Sequence, residues 1–171
     1  MSTAPPEQPS FTHLDESGAA RMVDVSAKRE TVREAIAEGR LIMSPATRAL
    51  FERQELAKGD ALAVARIAGI MGAKKTAELI PLCHPLPLDG IEISLEAVDD
   101  GIRIEARART CARTGVEMEA LAAVATAALA LYDMGKSVER GMRITGIRLL
   151  AKSGGRSGEW RAADGQEEKE R

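Results

Sequence analysis

The sequence predicts an α+β fold in which helices cover one face of an antiparallel β-sheet. Two runs with regular apolar–polar alternation, 91–97 and 102–109, are joined by a short acidic turn that ends in glycine, which is typical of a β-hairpin. Two long apolar stretches with helical periodicity, 60–79 and 114–138, flank this hairpin along the chain. The length of 171 residues suits one domain of this kind.

The chain before the long helices predicts short elements. Residues 22–25 are a candidate extended segment. Residues 29–38 carry apolar side chains at helical spacing and predict a short helix that ends at Gly39. Residues 41–43 predict a short strand, and residues 45–54 predict another short helix.

The first long helix is predicted to follow Asp60, because aspartate commonly caps a helix N-terminus, and to continue to Leu79. The next stretch, 80–87, contains three prolines, which remove backbone freedom and exclude a helix. We therefore expect an extended loop of fixed shape between this helix and the hairpin.

Charge pairs favour one register of the hairpin. A four-residue loop opposes Glu96 to Arg103 and Glu92 to Arg107. A shift of two residues would oppose Glu96 to Glu105, and like charges directly opposite each other are unfavourable. The sequence therefore predicts the first of these registers.

The second long helix is predicted to open with a capping box, Thr114 to Glu117, and to run to about Val138. Its alanine-rich middle suits close packing against a sheet or a twin helix. Residues 143–151 predict a last strand. The resulting order, strand–helix–strand–strand–helix–strand, is that of a ferredoxin-like fold.

The composition excludes several classes of protein. Aromatic residues make up 2% of the chain, whereas alanine occurs 29 times. Proteins that bind single-stranded nucleic acid need aromatic side chains for stacking, and the net charge of −2 does not suit duplex DNA. A core of small aliphatic side chains favours close helix packing or oligomerisation.

Cysteine use and targeting signals predict a soluble cytoplasmic protein with no membrane partner. Cys83 and Cys111 form no CxxC pair, and with two histidines in the chain a structural zinc site is not expected. The N-terminus lacks the basic and apolar regions of a signal peptide. The longest weakly polar run, 118–131, is too short to span a bilayer.

Two groups of side chains have the chemistry of catalysis. His84 lies in the triple-proline loop, which would hold an imidazole in place, although a surface-loop histidine explains it equally well. Asp133 and Lys136 are three residues apart on the second long helix and suit proton transfer. The alternative is an ordinary ion pair on a helix surface.

Three further features suit anion binding or helix capping. Lys58 stands just before a predicted helix N-terminus, where phosphate binds readily. The glycine-rich stretch 152–158 adds Lys152 and Arg156, although it also fits a flexible exit loop. Glu117 and Glu119 lie in the first turn of the second long helix, where carboxylates are favoured in any protein.

Seven stretches together resemble the MoaC family, the cyclic pyranopterin monophosphate synthases of molybdenum-cofactor biosynthesis. They are MVDVS (22–26), KGD (58–60), ARIAGI (65–70), LIPLCHP (79–85), TGVEMEAL (114–121), YDM (132–134) and LLAKSGG (149–155). The resemblance covers about residues 11–162, which we take as one domain. The proline-containing start, 1–10, and the charged end, 163–171, fall outside it and are predicted to be tails.

The resemblance implies a lyase of ferredoxin-like fold. It would convert 3′,8-cyclised 7,8-dihydro-GTP, made upstream by a radical SAM enzyme, into cyclic pyranopterin monophosphate and pyrophosphate. It would act as a homohexamer, a trimer of dimers, with sites at a subunit interface. No cofactor is implied, and Mg²⁺ carried by the triphosphate is left open. By the same resemblance Asp133 is catalytic, aided by Lys136 and Lys58, and the substrate-binding residues are Leu82, Cys83, His84, Glu117, Met118, Glu119, Arg33 and Lys152. By their charge, Lys58, Lys152 and Arg156 are expected to hold the triphosphate. Which group is the acid and which the base stays open.

Helix geometry makes the implied site a shared one. Glu119 and Asp133 are 14 residues apart on one predicted helix, or about 21 Å at 1.5 Å per residue. That distance is too great for both to contact one ring system. We therefore predict that Asp133 and Lys136 of one subunit act with Glu117 and Glu119 of another.

Two other classes of function compete with an enzyme. Ferredoxin-like domains also serve as non-catalytic small-molecule sensors, which have no need of a paired acid and base. Others bind RNA through aromatic side chains on the sheet, and the predicted strands here have none.

Overall fold

The computed structural model describes residues 18–163. The predicted tail 1–10, and all but the first residue of the predicted tail 163–171, lie outside the described residues. The elements in chain order are β1 Thr31–Ile42, α1 Pro45–Glu52, α2 Ala61–Lys74, α3 Thr76–Leu79, β2 Gly90–Val98, β3 Gly101–Ala112, α4 Glu117–Gly135, β4 Arg143–Ser153 and β5 Trp160–Arg161.

The strands form one antiparallel sheet in the order β2-β3-β1-β4-β5. Its first four strands have the order of a ferredoxin-like fold, and α2 and α4 supply the helical layer. The predicted α+β class is therefore confirmed. The short β5 at the edge, which pairs Trp160 with Lys152, was not foreseen.

The hairpin has the predicted register. Glu96 stands opposite Arg103 and Glu92 opposite Arg107 in the ladder. The ion pairs of these arginines are formed instead with Glu38, Glu105 and Glu34. The loop itself is shorter than predicted. Because Val98 and Gly101 already form the last pair, two residues and not four stand outside the ladder.

The predicted helix at 29–38 is wrong: these residues belong largely to β1, and the separate strand predicted at 41–43 is the end of the same element. The spacing of Val32, Ala35 and Ile36 is compatible with the apolar face of a helix. Pairing with β3 on one side and β4 on the other satisfies the backbone of β1 along most of its length, and this outweighs local preference. Residues 22–25 form no strand.

The first long helix is two helices. Asp60 caps α2 as predicted, accepting a hydrogen bond from the Ala63 N–H at 2.9 Å. The helix ends at Lys74, and after Lys75 the short α3 follows. Its first residue, Thr76, is buried and donates its hydroxyl proton back to the Ala73 carbonyl at 2.9 Å, a bond that competes with a continuous helix.

The capping box predicted for the second long helix is absent. The N-cap position of α4 is Val116, which makes no side-chain cap, and Glu117 is the first helical residue. The helix ends at Gly135, three residues earlier than predicted. A Cβ on Gly135 would lie 2.8 Å from the Phe51 ring, so the chain passes close to α1 at this point.

Close packing of alanine and glycine holds the helical layer on the sheet. α4 packs against β1, β3 and β4, while α2 packs against α4 and β2. Fully buried alanines of α4, including Ala123 and Ala127, face Gly69 of α2, where a Cβ would lie 3.3 Å from that of Ala127. α4 is long and apolar enough to cross a membrane by length and composition, but half of it is buried in this domain, as expected of a core helix.

Candidate active site

The C-terminal end of α4 carries a carboxylate between two lysines. Asp133 receives Lys136 Nζ at 2.6 Å and Lys58 Nζ at 2.8 Å, one on each carboxylate oxygen. Lys58 also donates to the backbone carbonyl of Asp133 at 2.8 Å. Hydrogen bonds from Lys136 and Lys58 lower the pKa of Asp133 to about 2. We call these three residues the Asp133 cluster.

The N-terminal end of α4 lines a cavity of about 380 Å³, here called the His84 cavity. The triple-proline loop supplies Leu82, Cys83 and His84 to its wall, as the sequence predicted for a fixed loop. Thr110 of β3 ties this loop to the sheet by donating its hydroxyl proton to the Pro87 carbonyl. The imidazole is therefore presented by a segment with little freedom.

Glu119 is the buried carboxyl group of the His84 cavity, with 4% of its surface exposed. Burial raises its pKa, and the charge of Glu117 adds to this effect, opposed by a hydrogen bond from its own backbone N–H. Burial and the nearby Glu119 also raise the pKa of the Cys83 thiol. Among the described residues Glu119 has no cationic partner, so its carboxyl group is left for a ligand or a second chain.

A larger cavity of about 690 Å³, here called the Arg33 cavity, opens beside it and is strongly cationic. The guanidinium of Arg33 donates from Nε to the Ala112 carbonyl at 2.9 Å and from Nη2 to the Arg113 carbonyl at 3.1 Å. Lys152, at the end of β4, donates to the Ser157 hydroxyl. Cationic side chains on the wall are Lys28, Arg29, Arg33, Arg113, Lys152 and Arg156.

The two cavities share part of their walls and form one cleft. Lys28 and Glu117 line both of them. Glu117 turns its carboxylate over Gly115, where a Cβ would lie 1.8 Å from its Oε2. The cleft therefore has a cationic arm and a nearly neutral arm that carries the imidazole and the buried carboxyl group.

The structure groups the predicted site residues into two sets. The cleft contains Leu82, Cys83, His84, Glu117, Met118, Glu119, Arg33, Lys152 and Arg156. The Asp133 cluster lines neither cavity, because α4 separates the two sets by its own length. The two ends of α4 do not converge within one chain, and the shared site and the chemical role of each residue stay predictions.

Residues 23–29 are a part of the site that residue-by-residue reasoning missed. Val23, Val25 and Lys28 line the His84 cavity, and Lys28 and Arg29 line the Arg33 cavity. Asp24 has a lowered pKa, chiefly because it accepts hydrogen bonds from Ser26, with a smaller effect of the nearby His84. Residues 22–26 are one of the seven stretches that resemble the family, and this was the signal in the sequence that could have identified them as part of the site.

In the part of the chain from 18 to 163, no group of three or more His, Cys, Asp or Glu side chains has the arrangement of a metal site. The expectation that no metal or cofactor is needed stays a prediction.

A ferredoxin-like domain with a cationic cleft, a buried carboxyl group and a separate carboxylate–lysine cluster is the kind of domain expected of an enzyme that acts on a phosphorylated small molecule. Comparisons with known proteins give the particular family. The sequence model of the MoaC family matches residues 22–155, and the chain belongs to that family.

Curated relatives cover nearly the whole chain. A protein of Thermomicrobium roseum named cyclic pyranopterin monophosphate synthase is 60% identical over 156 residues, covering 90% of this chain and 94% of its own. Proteins of the same name are 57% identical in Dinoroseobacter shibae, covering 89% and 98%, and 55% identical in Streptomyces avermitilis, covering 91% and 92%. The family resemblance of the seven motifs is therefore confirmed.

Proposed function

We propose that the chain is a lyase that converts (8S)-3′,8-cyclo-7,8-dihydroguanosine 5′-triphosphate into cyclic pyranopterin monophosphate and pyrophosphate, in molybdenum-cofactor biosynthesis. One observation carries the proposal: identity of 55–60% over nine-tenths of the chain to proteins of that printed name. The cleft adds physical support, because it has separate regions suited to a polyphosphate and to a polar ring system.

The charges of the cleft suggest how the substrate lies in it. The Arg33 cavity would take the triphosphate, since arginine and lysine form strong charge-assisted hydrogen bonds with phosphate oxygens. The His84 cavity would take the purine-derived rings. Glu119 suits this role, because a carboxyl group can bond to the N–H groups of a guanine-type ring. Among residues 18–163 no Phe, Tyr or Trp lines either cavity.

The Asp133 cluster supplies the acid and base of the proposed reaction. Asp133 is a carboxylate at neutral pH, because its pKa is lowered to about 2. Lys136 and Lys58 lie within hydrogen-bond distance of it. These groups would move protons while the five-membered ring of the purine opens and the pyran ring closes. A sugar hydroxyl oxygen then attacks the α-phosphate, and pyrophosphate leaves.

A second copy of the chain would bring the two sets of residues together. α4 has 19 residues, about 28 Å at 1.5 Å per residue, so one chain cannot place Asp133 and Glu119 on the same ring. If two helical layers stack face to face with α4 antiparallel to its partner, Asp133 lies beside Glu119 of the partner subunit. The family's homohexamer, a trimer of dimers, is proposed on this basis.

Exposed apolar side chains and unbalanced charges support such stacking. Ile67 and Met71 of α2 and Leu129 of α4 are 59%, 53% and 59% exposed on the helical layer. The Asp133 cluster has two lysines for one carboxylate, whereas Glu119 has no cation among residues 18–163. An antiparallel arrangement would cover the apolar surface and bring the surplus positive charge to the buried carboxyl group.

Mixed oligomers test both the reaction and the shared site. Asp133→Asn and Glu119→Gln are each expected to abolish pyrophosphate release from the cyclised GTP. When the two variants are co-expressed with different affinity tags, random pairing makes half of the dimers mixed, and each mixed dimer has one intact site. We expect about a quarter of the wild-type activity. Mixed oligomers that carry both affinity tags but show no activity would contradict the shared site.

A non-catalytic sensing module is the alternative function. It would bind the cyclised GTP without releasing pyrophosphate, so a single turnover assay separates the two. A cytoplasmic location, with substrate supplied by a radical SAM enzyme upstream, belongs to the same proposal. The two free cysteines, Cys83 and Cys111, agree with a reducing compartment.

A further inference from the structure

Gly155 is a residue of the cleft to which the proposed function assigns no role. It follows β4 in the loop that carries Arg156, and its φ of +71° lies in the left-handed region. A Cβ on Gly155 would lie 2.1 Å from Arg33 Nη1 and 2.8 Å from its Cζ. The guanidinium of Arg33 therefore occupies the space that any other residue at position 155 would fill.

The hydrogen bonds of Arg33 fix the direction of this guanidinium. Nε and Nη2 are engaged by the carbonyls of Ala112 and Arg113 at the end of β3. Nη1 has no hydrogen-bond partner within residues 18–163, and the side chain lines the cationic cavity. Two donors thus anchor the planar fork, and the remaining nitrogen is free to bond an anion in the cavity.

We infer that Gly155 is a positioning residue, which acts through Arg33 by leaving room for its guanidinium to present Nη1 to the triphosphate. The inference rests on the proposed function, in that it takes the Arg33 cavity to bind the triphosphate. It adds a residue that touches no substrate atom and yet sets substrate affinity.

The neighbouring glycines show why the effect of Gly155 passes through a side chain. At Gly154 a Cβ would lie 2.2 Å from the Val32 carbonyl oxygen, which is backbone and cannot move without disturbing β1. At Gly155 the clash is with the end of a long side chain, which can swing away. A larger residue at 155 is therefore accommodated by displacing Arg33, at the expense of its bonds to Ala112 and Arg113.

Gly158 provides a matched control. Its φ of +63° is close to that of Gly155, but no atom of residues 18–163 lies within 4 Å of the position of its Cβ. Gly158→Ala thus carries the same backbone strain as Gly155→Ala without the contact to Arg33. Any difference between the two variants reports on the guanidinium.

The experiment compares the steady-state kinetics of the two variants in the full-length protein. Relative to Gly158→Ala, Gly155→Ala should raise KM about tenfold or more, the usual effect of losing a charge-assisted hydrogen bond, with kcat unchanged within about twofold. Affinity for inorganic tripolyphosphate, measured by calorimetry, should fall by the same factor. Gly154→Ala should instead lower the melting temperature.

The Arg33→Ala background shows whether the effect passes through Arg33. There Gly155→Ala should raise KM no more than Gly158→Ala does, because the clash is gone; Arg33→Lys serves the same purpose if the alanine variant is unstable. Equal KM values for the two glycine variants in the wild-type background, or the same increase in both backgrounds, would overturn the inference. If Arg33→Ala itself leaves KM and tripolyphosphate affinity unchanged, the placement of the triphosphate falls together with the inference.

Discussion

Lys58 Nζ lies 2.8 Å from the carboxylate of Asp133 and 2.8 Å from its backbone carbonyl, so the segment before α2 is tied to the end of α4. The two residues are 75 positions apart in the chain. A lysine that binds both the side chain and the backbone of one residue holds that carboxylate in a defined place, as the proposed acid–base role of Asp133 would require.

Replacing Asp133 by asparagine should abolish turnover and leave the fold and assembly intact. The side chain is exposed, so the amide costs little stability, but it cannot exchange protons. We expect a fall in kcat of about 100-fold or more. Pyrophosphate release measures the activity, and circular dichroism and light scattering measure fold and assembly. Asp100→Asn on the β2–β3 turn is the control and should keep full activity; product formation by the Asp133 variant would exclude Asp133 from catalysis.

The lysines should set the titration of Asp133. Its folded-state pKa of about 2 lies below the ordinary value of 3.8, so the pairing stabilises the fold above about pH 4 and is lost as the pH falls toward 2. Lys136→Met should raise this pKa more than Lys58→Met does, because the hydrogen bond from Lys136 has the larger effect. Carboxyl carbon NMR shifts measure the change, and an equal pKa in all three proteins would contradict the assigned cause.

Glu119→Gln should stabilise the dissociated subunit, in which no lysine of a partner faces the buried carboxyl group, and more so at high pH. Burial raises the pKa of Glu119, so its contribution to stability is fully present below the unfolded pKa near 4.5 and is lost as the pH rises through the folded value. The glutamine side chain removes that loss. The difference in melting temperature between variant and wild type should be near zero at pH 4 and positive at pH 8.

Gly72→Ala should destabilise the helical layer. A Cβ at this position would lie 2.0 Å from Thr126 Oγ1 and 2.8 Å from Thr126 Cβ, so α2 and α4 would have to move apart. Overpacking of this kind costs about 1–3 kcal/mol of unfolding free energy. Urea denaturation measures it. Gly141→Ala should leave the midpoint almost unchanged, because no atom in the described part of the chain lies within 4 Å of the added carbon.

Local pattern sufficed for some elements and failed for others. The β2–β3 hairpin was predicted in register because its charge pairs and turn lie within 20 residues of one another. The strand β1 was mistaken for a helix because its partners, Ala112 at one end and Ser153 on the other side, are far along the chain. Alternation in β1 is also masked by glycine and alanine, which have little hydrophobic contrast with their neighbours.

The candidate site, like the fold, could be predicted from the sequence only in part. Chemistry-bearing residues were found because they cluster in short motifs, such as the loop that ends in His84. Their grouping into a cleft and a separate cluster followed from one property available in the sequence, the length of a helix. The carbonyls that hold Arg33 were not foreseeable, because they belong to residues 79 and 80 positions away and to backbone atoms that any sequence provides.

The 19 residues of α4 also set the distance between the Asp133 cluster at one end of the helix and Glu119 at the other. A deletion of one helical turn would shift its two functional ends toward each other by about 5.4 Å and rotate one set of side chains relative to the other. The tight turn at Asp99 and Asp100 imposes no such spacing on the site. Changes of chain length at the hairpin turn should therefore be tolerated, whereas α4 should need its number of residues as well as their identity.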